Sequence, residues 1–161
     1  MRLLLSFLIC FQLTNISAQQ SASASSVGIS NPQFKKLVDR YVSFDVDTIS
    51  VGVLRNLDTP YILLDAREYE EYETSHIKDA LYLGYDKPNY DILDNIDPNS
   101  QIIVYCSIGY RSGKIGKKLM KKGFKNVRNL YGSIFEWSNR GYPIYKSDNT
   151  ATQDIHTYNK K

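Results

Sequence analysis

Apolar and polar positions fall along this chain in blocks whose period changes, and the blocks predict an alternation of strands and helices. Residues 101–105, Gln-Ile-Ile-Val-Tyr, are an apolar run of strand length that follows the turn Asp97-Pro98-Asn99-Ser100. An unbroken apolar run of that length is the pattern of a strand buried on both faces. Tyr61-Ile62-Leu63-Leu64, ending at Asp65, reads the same way, as do residues 80–84 and 126–130, and residues 45–49 look extended. Between these blocks the period lengthens. Phe34, Leu37, Val38 and Tyr41 recur at helical spacing behind Asn31-Pro32. Short helices are predicted over residues 51–57, 67–73 and 88–94, the first ending before Asp58-Thr59-Pro60. A longer helix follows over residues 112–120, stopped by Gly123, and a last one covers residues 133–140 ahead of Gly141-Tyr142-Pro143. Strands that alternate with helices predict a parallel α/β sheet covered on both faces.

The ends of the chain break this pattern. Met1-Arg2 is a short basic start, residues 3–11 are apolar, and Asn15-Ile16-Ser17-Ala18 offers a cleavage site after Ala18. Residues 1–18 therefore read as a signal peptide of an exported protein, periplasmic or secreted, with an uncleaved anchor as the alternative. The apolar run is too short to span a bilayer, so no stable membrane insertion is expected once it is removed. Residues 19–30 read as a flexible tether, residues 31–146 as the single folded domain, and residues 147–161 as a loose polar tail.

Composition adds a frame. A chain of 161 residues can bury one real core. A net charge of +3 is too small to point to nucleic acid. Its distribution is uneven: Arg111, Lys114, Lys117, Lys118, Lys121, Lys122, Lys125 and Arg128 follow one another without an acid, whereas acids dominate residues 45–97. The basic run reads as a solvated helix face that also draws anions toward its start. Loss of Cys10 with the leader leaves Cys106 alone, so no intramolecular disulfide and no thiolate zinc cluster can form. His76 and His156 lie far apart in sequence, which gives a metal site little support. No cofactor is expected.

Cys106 carries the chemistry. It follows the apolar strand of residues 101–105 and opens the loop Cys106-Ser107-Ile108-Gly109-Tyr110-Arg111-Ser112 ahead of a helix. A thiol is thereby set at a helix amino terminus, where loop amides and the helix dipole favour negative charge. Arg111 adds a positive charge, and Gly109 permits the tight curl that aims several amides at one point. Ser112 stands where it can cap the helix. Such a site stabilises a thiolate, or an anion bonded to it. Lowering a cysteine pKa by about 2 units raises its thiolate fraction roughly 25-fold at neutral pH, but the lower nucleophilicity takes back about 8-fold. The loop's larger contribution is then expected in binding an anion and stabilising the covalent product.

At these residues the chain resembles the rhodanese family. The family's active loop Cys-x-x-Gly-x-Arg-Ser appears as Cys106, Gly109, Arg111 and Ser112, followed by Gly123-Phe124, Val127, Leu130 and Gly132. Its upstream Asp-x-Arg-x-x-x-Glu and His-Ile appear as Asp65, Arg67, Glu71 and His76-Ile77, and its closing Trp…Gly-x-Pro as Trp137, Gly141 and Pro143. The match runs in order through residues 45–145. The glycines that usually flank His-Ile are here Ser75 and Asp79, and the second glycine after Leu-x-Gly is Ser133. The resemblance implies a three-layer α/β/α fold with a central, mostly parallel sheet of about five strands. It also implies sulfur transfer: Cys106 takes sulfane sulfur from a small anionic donor such as thiosulfate, becomes a persulfide, and passes the sulfur to cyanide, a thiol or a protein acceptor.

Around Cys106, residues 107–112 are expected to bind the donor, with the Arg111 guanidinium holding its charge. The alternative is that Arg111 packs against Asp65 or Glu71 and shapes the loop. Asp65 and Arg67 are expected to support the site, Asp65 by orienting the loop or pairing with an arginine, and Arg67 and Glu71 as partners along a helix. His76 is expected to fix a turn, and Trp137 and Phe135 to belong to the core. Two rival functions remain. A cysteine phosphatase needs Cys-x-x-x-x-x-Arg, but Arg111 follows Cys106 by five residues, one too few. A noncatalytic rhodanese-like module would bind a partner, or deliver sulfur only within a complex.

Overall fold

The computed structural model describes residues 28–157, so the leader and most of the tether lie outside the described residues. The chain opens with α1 (Pro32–Tyr41), capped by the Asn31 side chain, which accepts from the amides of Gln33 and Phe34. Then come β1 (Thr48–Ser50), α2 (Val51–Arg55), β2 (Ile62–Asp65), α3 (Tyr69–Thr74), β3 (His76–Ile77), β4 (Leu81–Tyr82) and a 3-10 turn at Tyr90–Leu93. The second half holds β5 (Gln101–Tyr105), α4 (Tyr110–Lys121), β6 (Asn126–Tyr131), α5 (Ser133–Asn139), β7 (Ile144–Tyr145) and β8 (Ala151–Thr152).

Five strands form one sheet in the order β1-β6-β5-β2-β4, and every pair in it is parallel. Alternate side chains feed two cores. Leu63, Ile103, Tyr105 and Leu130 meet Leu54 of α2 and Ile134 and Trp137 of α5 on one face. Leu64, Ile102, Val104 and Val127 meet Ile115 and Leu119 of α4 on the other. Each fully buried aliphatic side chain of this kind contributes roughly 1.5–3 kcal/mol. The parallel arrangement brings all carboxyl ends to one edge of the sheet, where ligands of open α/β sheets bind. The central strand β5 delivers Cys106 there.

The expected elements are present, with shifted ends. Residues 88–94 form only the 3-10 turn, and the helix expected from residue 112 starts at Tyr110. A second sheet, β3-β7-β8, is antiparallel and was not expected. It corrects the picture of a loose tail: Ala151 and Thr152 pair with Tyr145 and Ile144, and Ile155 packs on the core. The end of the tether is also seated. Ile29 is buried with Val38 and Val42, and the Ser30 amide donates to Glu136 Oε1 at 3.0 Å.

Candidate active site

Cys106 follows β5 directly and is 1% exposed. Its Sγ accepts the Gly109 amide at 3.2 Å and lies 3.4 Å from Ser112 Oγ. Gly109 is the N-cap of α4 with φ +114°, in the left-handed region where a side chain is strained. A Cβ there would also stand 2.9 Å from Val42 Cγ2, so glycine is required twice over. Burial pushes the Cys106 thiol up. The hydroxyl and amide of Ser112, the Arg111 charge and the Gly109 amide outweigh burial and leave the thiol below its ordinary value. Ser112 is therefore not a helix cap as expected: it sits inside the first turn of α4 with its hydroxyl toward the sulfur and Asn129.

Arg111 is bonded to a carboxylate of another helix. Its Nη1 and Nη2 donate to Glu71 Oε2 and Oε1 at 2.6 and 2.7 Å, and Nη2 also donates to Ser107 Oγ at 2.9 Å. Both partners are buried, and the Ser107 hydroxyl donates to Glu71 Oε1. Burial raises the Glu71 carboxyl, but the Arg111 hydrogen bonds and charge bring it below its ordinary range. Glu71 rather than Asp65 is the carboxylate that Arg111 meets. Glu71 is also tied to its own helix, accepting the Glu68 amide in a capping box. The expected Arg67–Glu71 partnership is replaced. Arg67 instead forks onto Asp65, with Nε 2.9 Å from Oδ1 and Nη2 2.6 Å from Oδ2, and lies over the Tyr105 ring. Arg67 Nη2 also donates to the Ser75 carbonyl, which ties the end of β2 to the start of β3. Asp65 and Arg67 thus form one buried pair at the end of the strand next to β5.

The rest of the loop faces outward or toward α1. Ile108 packs with Phe34, Val38 and Val42. Tyr110 is 44% exposed, and its hydroxyl accepts from Lys114 Nζ at 2.7 Å. His76 lies in β3, stacked on Tyr72, and Trp137 is in the core, with Phe135 packed against it. Among the described residues no group of three or more His, Cys, Asp or Glu is arranged to hold a metal ion, and no helix is long and apolar enough to cross a membrane.

Two residues that hold the loop escaped the sequence reading. Asn129 of β6 is fully buried; its Nδ2 donates to the Gly109 carbonyl at 2.8 Å and its Oδ1 accepts from Ser112 Oγ at 2.7 Å. The available signal was a polar residue inside an apolar strand, which must find partners when buried. Ser133 accepts the Cys106 amide at 3.1 Å and donates to the Leu130 carbonyl. It takes φ +51°, the conformation that the family's glycine would adopt without strain. The amides of Ile134 and Phe135, open donors at the start of α5, reach the carbonyls of Cys106 and Ser107 at 3.2 Å.

The model of the rhodanese-like domain matches residues 52–140. The chain belongs to the rhodanese-like domain family. It is 32% identical over 76 residues to the thiosulfate sulfurtransferase GlpE of Coxiella burnetii, spanning 47% of this chain and 70% of that one. It is 33% identical over 91 residues to the adenylyltransferase and sulfurtransferase UBA4 of Meyerozyma guilliermondii, covering 52% of this chain and 21% of that longer protein. The crystal structure of protein BH2092 from Bacillus halodurans superposes with a TM-score of 0.61, at 21% identity, over 80% of this chain and 95% of that one. The rhodanese-like domain thus has relatives that are thiosulfate sulfurtransferases, and its parallel five-stranded sheet between helices is shared with a solved structure. The segment that packs Ile29, Val38 and Val42 beside Ile108 of the Cys106 loop lies outside the matched residues.

Proposed function

We propose that this protein is a sulfurtransferase that carries sulfane sulfur as a persulfide on Cys106. The observation that supports it most is the Cys106 thiol, the lone one among the described residues, set at the amino end of α4, accepting the Gly109 amide and lowered below its ordinary value. In the first half-reaction the Cys106 thiolate attacks the outer sulfur of thiosulfate. A new S–S bond forms, the donor's own S–S bond breaks, and its electron pair leaves with sulfite. In the second, cyanide or a thiolate attacks the terminal persulfide sulfur, and the electron pair of that S–S bond returns to Cys106. With Arg111 bonded to Glu71, the pull on the donor's charge comes from the loop amides and the helix end together with the Arg111 charge that also acts on the sulfur. Turnover of thiosulfate and cyanide to thiocyanate is the test: activity in the wild type and none in Cys106→Ser is expected, and activity in both would remove the mechanism.

A phosphatase reading is disfavoured by the Cys-to-Arg spacing and by an arginine already bonded to a carboxylate. A protein acceptor in place of a small thiol draws support from the UBA4 relative, whose name joins sulfur transfer to adenylyl transfer. Export follows from the leader pattern of residues 1–18.

A further inference from the structure

We propose that Asn129 is a positioning residue that keeps the single Ser112 hydroxyl proton away from Cys106 until the sulfur ionises. The consequence for turnover rests on the sulfur-transfer reading; the geometry and its test do not.

Asn129 sits on β6 between two partner strands and is fully buried. Its amide can point only one way. Nδ2 must face the Gly109 carbonyl at 2.8 Å, because an amide oxygen there would meet another acceptor. Oδ1 therefore faces Ser112 Oγ at 2.7 Å, and an acceptor so placed takes the Ser112 proton. Ser112 has one proton and two neighbours, since Cys106 Sγ lies 3.4 Å from the same oxygen.

The two states of the sulfur need opposite arrangements. A protonated Sγ donates to Ser112 Oγ, and Ser112 donates to Asn129, so every group is satisfied. When Cys106 loses its proton to solvent, the thiolate needs a donor. Ser112 then swings its proton to Sγ and leaves Asn129 Oδ1 buried without one, which costs free energy. Asn129 thus opposes ionisation, while the Gly109 amide and Arg111 favour it. In the persulfide the charge sits on the terminal sulfur. Sγ no longer needs the hydroxyl, and the proton returns to Asn129. The residue favours the loaded enzyme over the free thiolate.

The remaining groups around the Cys106 loop come from several elements. Arg111 comes from α4 with Glu71 of α3 behind it, the Asp65–Arg67 pair comes from the end of β2, and α5 contributes uncharged Ser133.

Titration of the Cys106 thiolate by its ultraviolet absorbance tests this, with each variant's Cys106→Ser counterpart subtracted. No donor is needed, so failure of sulfur transfer and failure of this proposal are separate results. Asn129→Leu is expected to lower the midpoint by about one pH unit, the scale of one neutral hydrogen bond. The same substitution in a Ser112→Ala background is expected to leave the midpoint unmoved. Asn129→Val, uncharged and suited to a strand, is expected to lower it likewise, and it takes over the comparison with and without Ser112→Ala if Asn129→Leu does not fold. A residue that only clamps the loop would act equally in both backgrounds. An equal shift with and without the Ser112 hydroxyl, or no shift at all, overturns the proposal.

Discussion

Ser112 and Gly109 decide the chemistry at the scale of single residues, because both act on one sulfur atom. The Cys106 pKa lies below its ordinary value although burial raises it, so the local donors outweigh desolvation. Removing one donor to the thiolate moves the balance back. Ser112→Ala is expected to shift the thiolate titration and the acid limb of the pH–rate profile upward by about one unit. An unshifted profile would show that the hydroxyl never serves the thiolate. Gly109→Ala meets both a left-handed φ and the Val42 side chain. It is expected to lower stability by roughly 1–3 kcal/mol and to slow Cys106 alkylation, measured by denaturant unfolding and by a small neutral reagent. Much of this loop was legible because Cys106, Gly109, Arg111 and Ser112 lie within one short run of sequence. Glu71 was legible as one of two carboxylates that Arg111 could meet, and the fold selects it over Asp65. Asn129 and Ser133 were not legible as anchors, because they come from β6 and α5 and only the fold brings them to the loop.

Elements meet at this site through buried charge. The Arg111–Glu71 pair joins α4 to α3, and Asp65–Arg67 ties the end of β2 to the start of β3 through the Ser75 carbonyl. Removing one member of a buried pair strands the other, which costs about 3–5 kcal/mol. Arg111→Ala is therefore expected to lower the melting temperature by roughly 10–20 °C. An unchanged melting temperature with a sharply raised KM for thiosulfate would return the guanidinium to donor binding. The pair also sets an acid limit. Glu71 is held below its ordinary range in the fold, so its contribution is complete at neutral pH and is lost as pH falls through that lowered value. Glu71→Gln should flatten this part of the stability–pH curve, and an identical slope in the variant would contradict it. Helices and parallel strands were readable because their periods run over several residues. The two-residue strands β3, β7 and β8 lie in no apolar run of strand length, unlike β4 within residues 80–84, so they and the antiparallel sheet they form appear only with the fold.

For the whole molecule, segments outside the family's matched residues complete the domain around the loop. Val38 and Val42 are buried against Ile29 beside the loop residue Ile108, and Arg140 of the turn after α5 bonds the Gly28 carbonyl. Val38→Ala together with Val42→Ala is expected to destabilise the protein by roughly 2–5 kcal/mol and to speed Cys106 alkylation, because α1 packs on the loop. Unchanged alkylation would assign α1 to stability alone. The leader pattern predicts a mature chain that begins at Gln19 outside the cytoplasm, and amino-terminal sequencing that finds Met1 retained in the native host would contradict it. The most direct measurement of the central claim is the intact mass of the protein after exposure to thiosulfate, before and after cyanide is added. The account predicts a gain of one sulfur atom that maps to Cys106, is lost to cyanide and is absent in Cys106→Ser. An unchanged mass under thiosulfate, with thiocyanate nevertheless released on adding cyanide, would contradict a persulfide on Cys106.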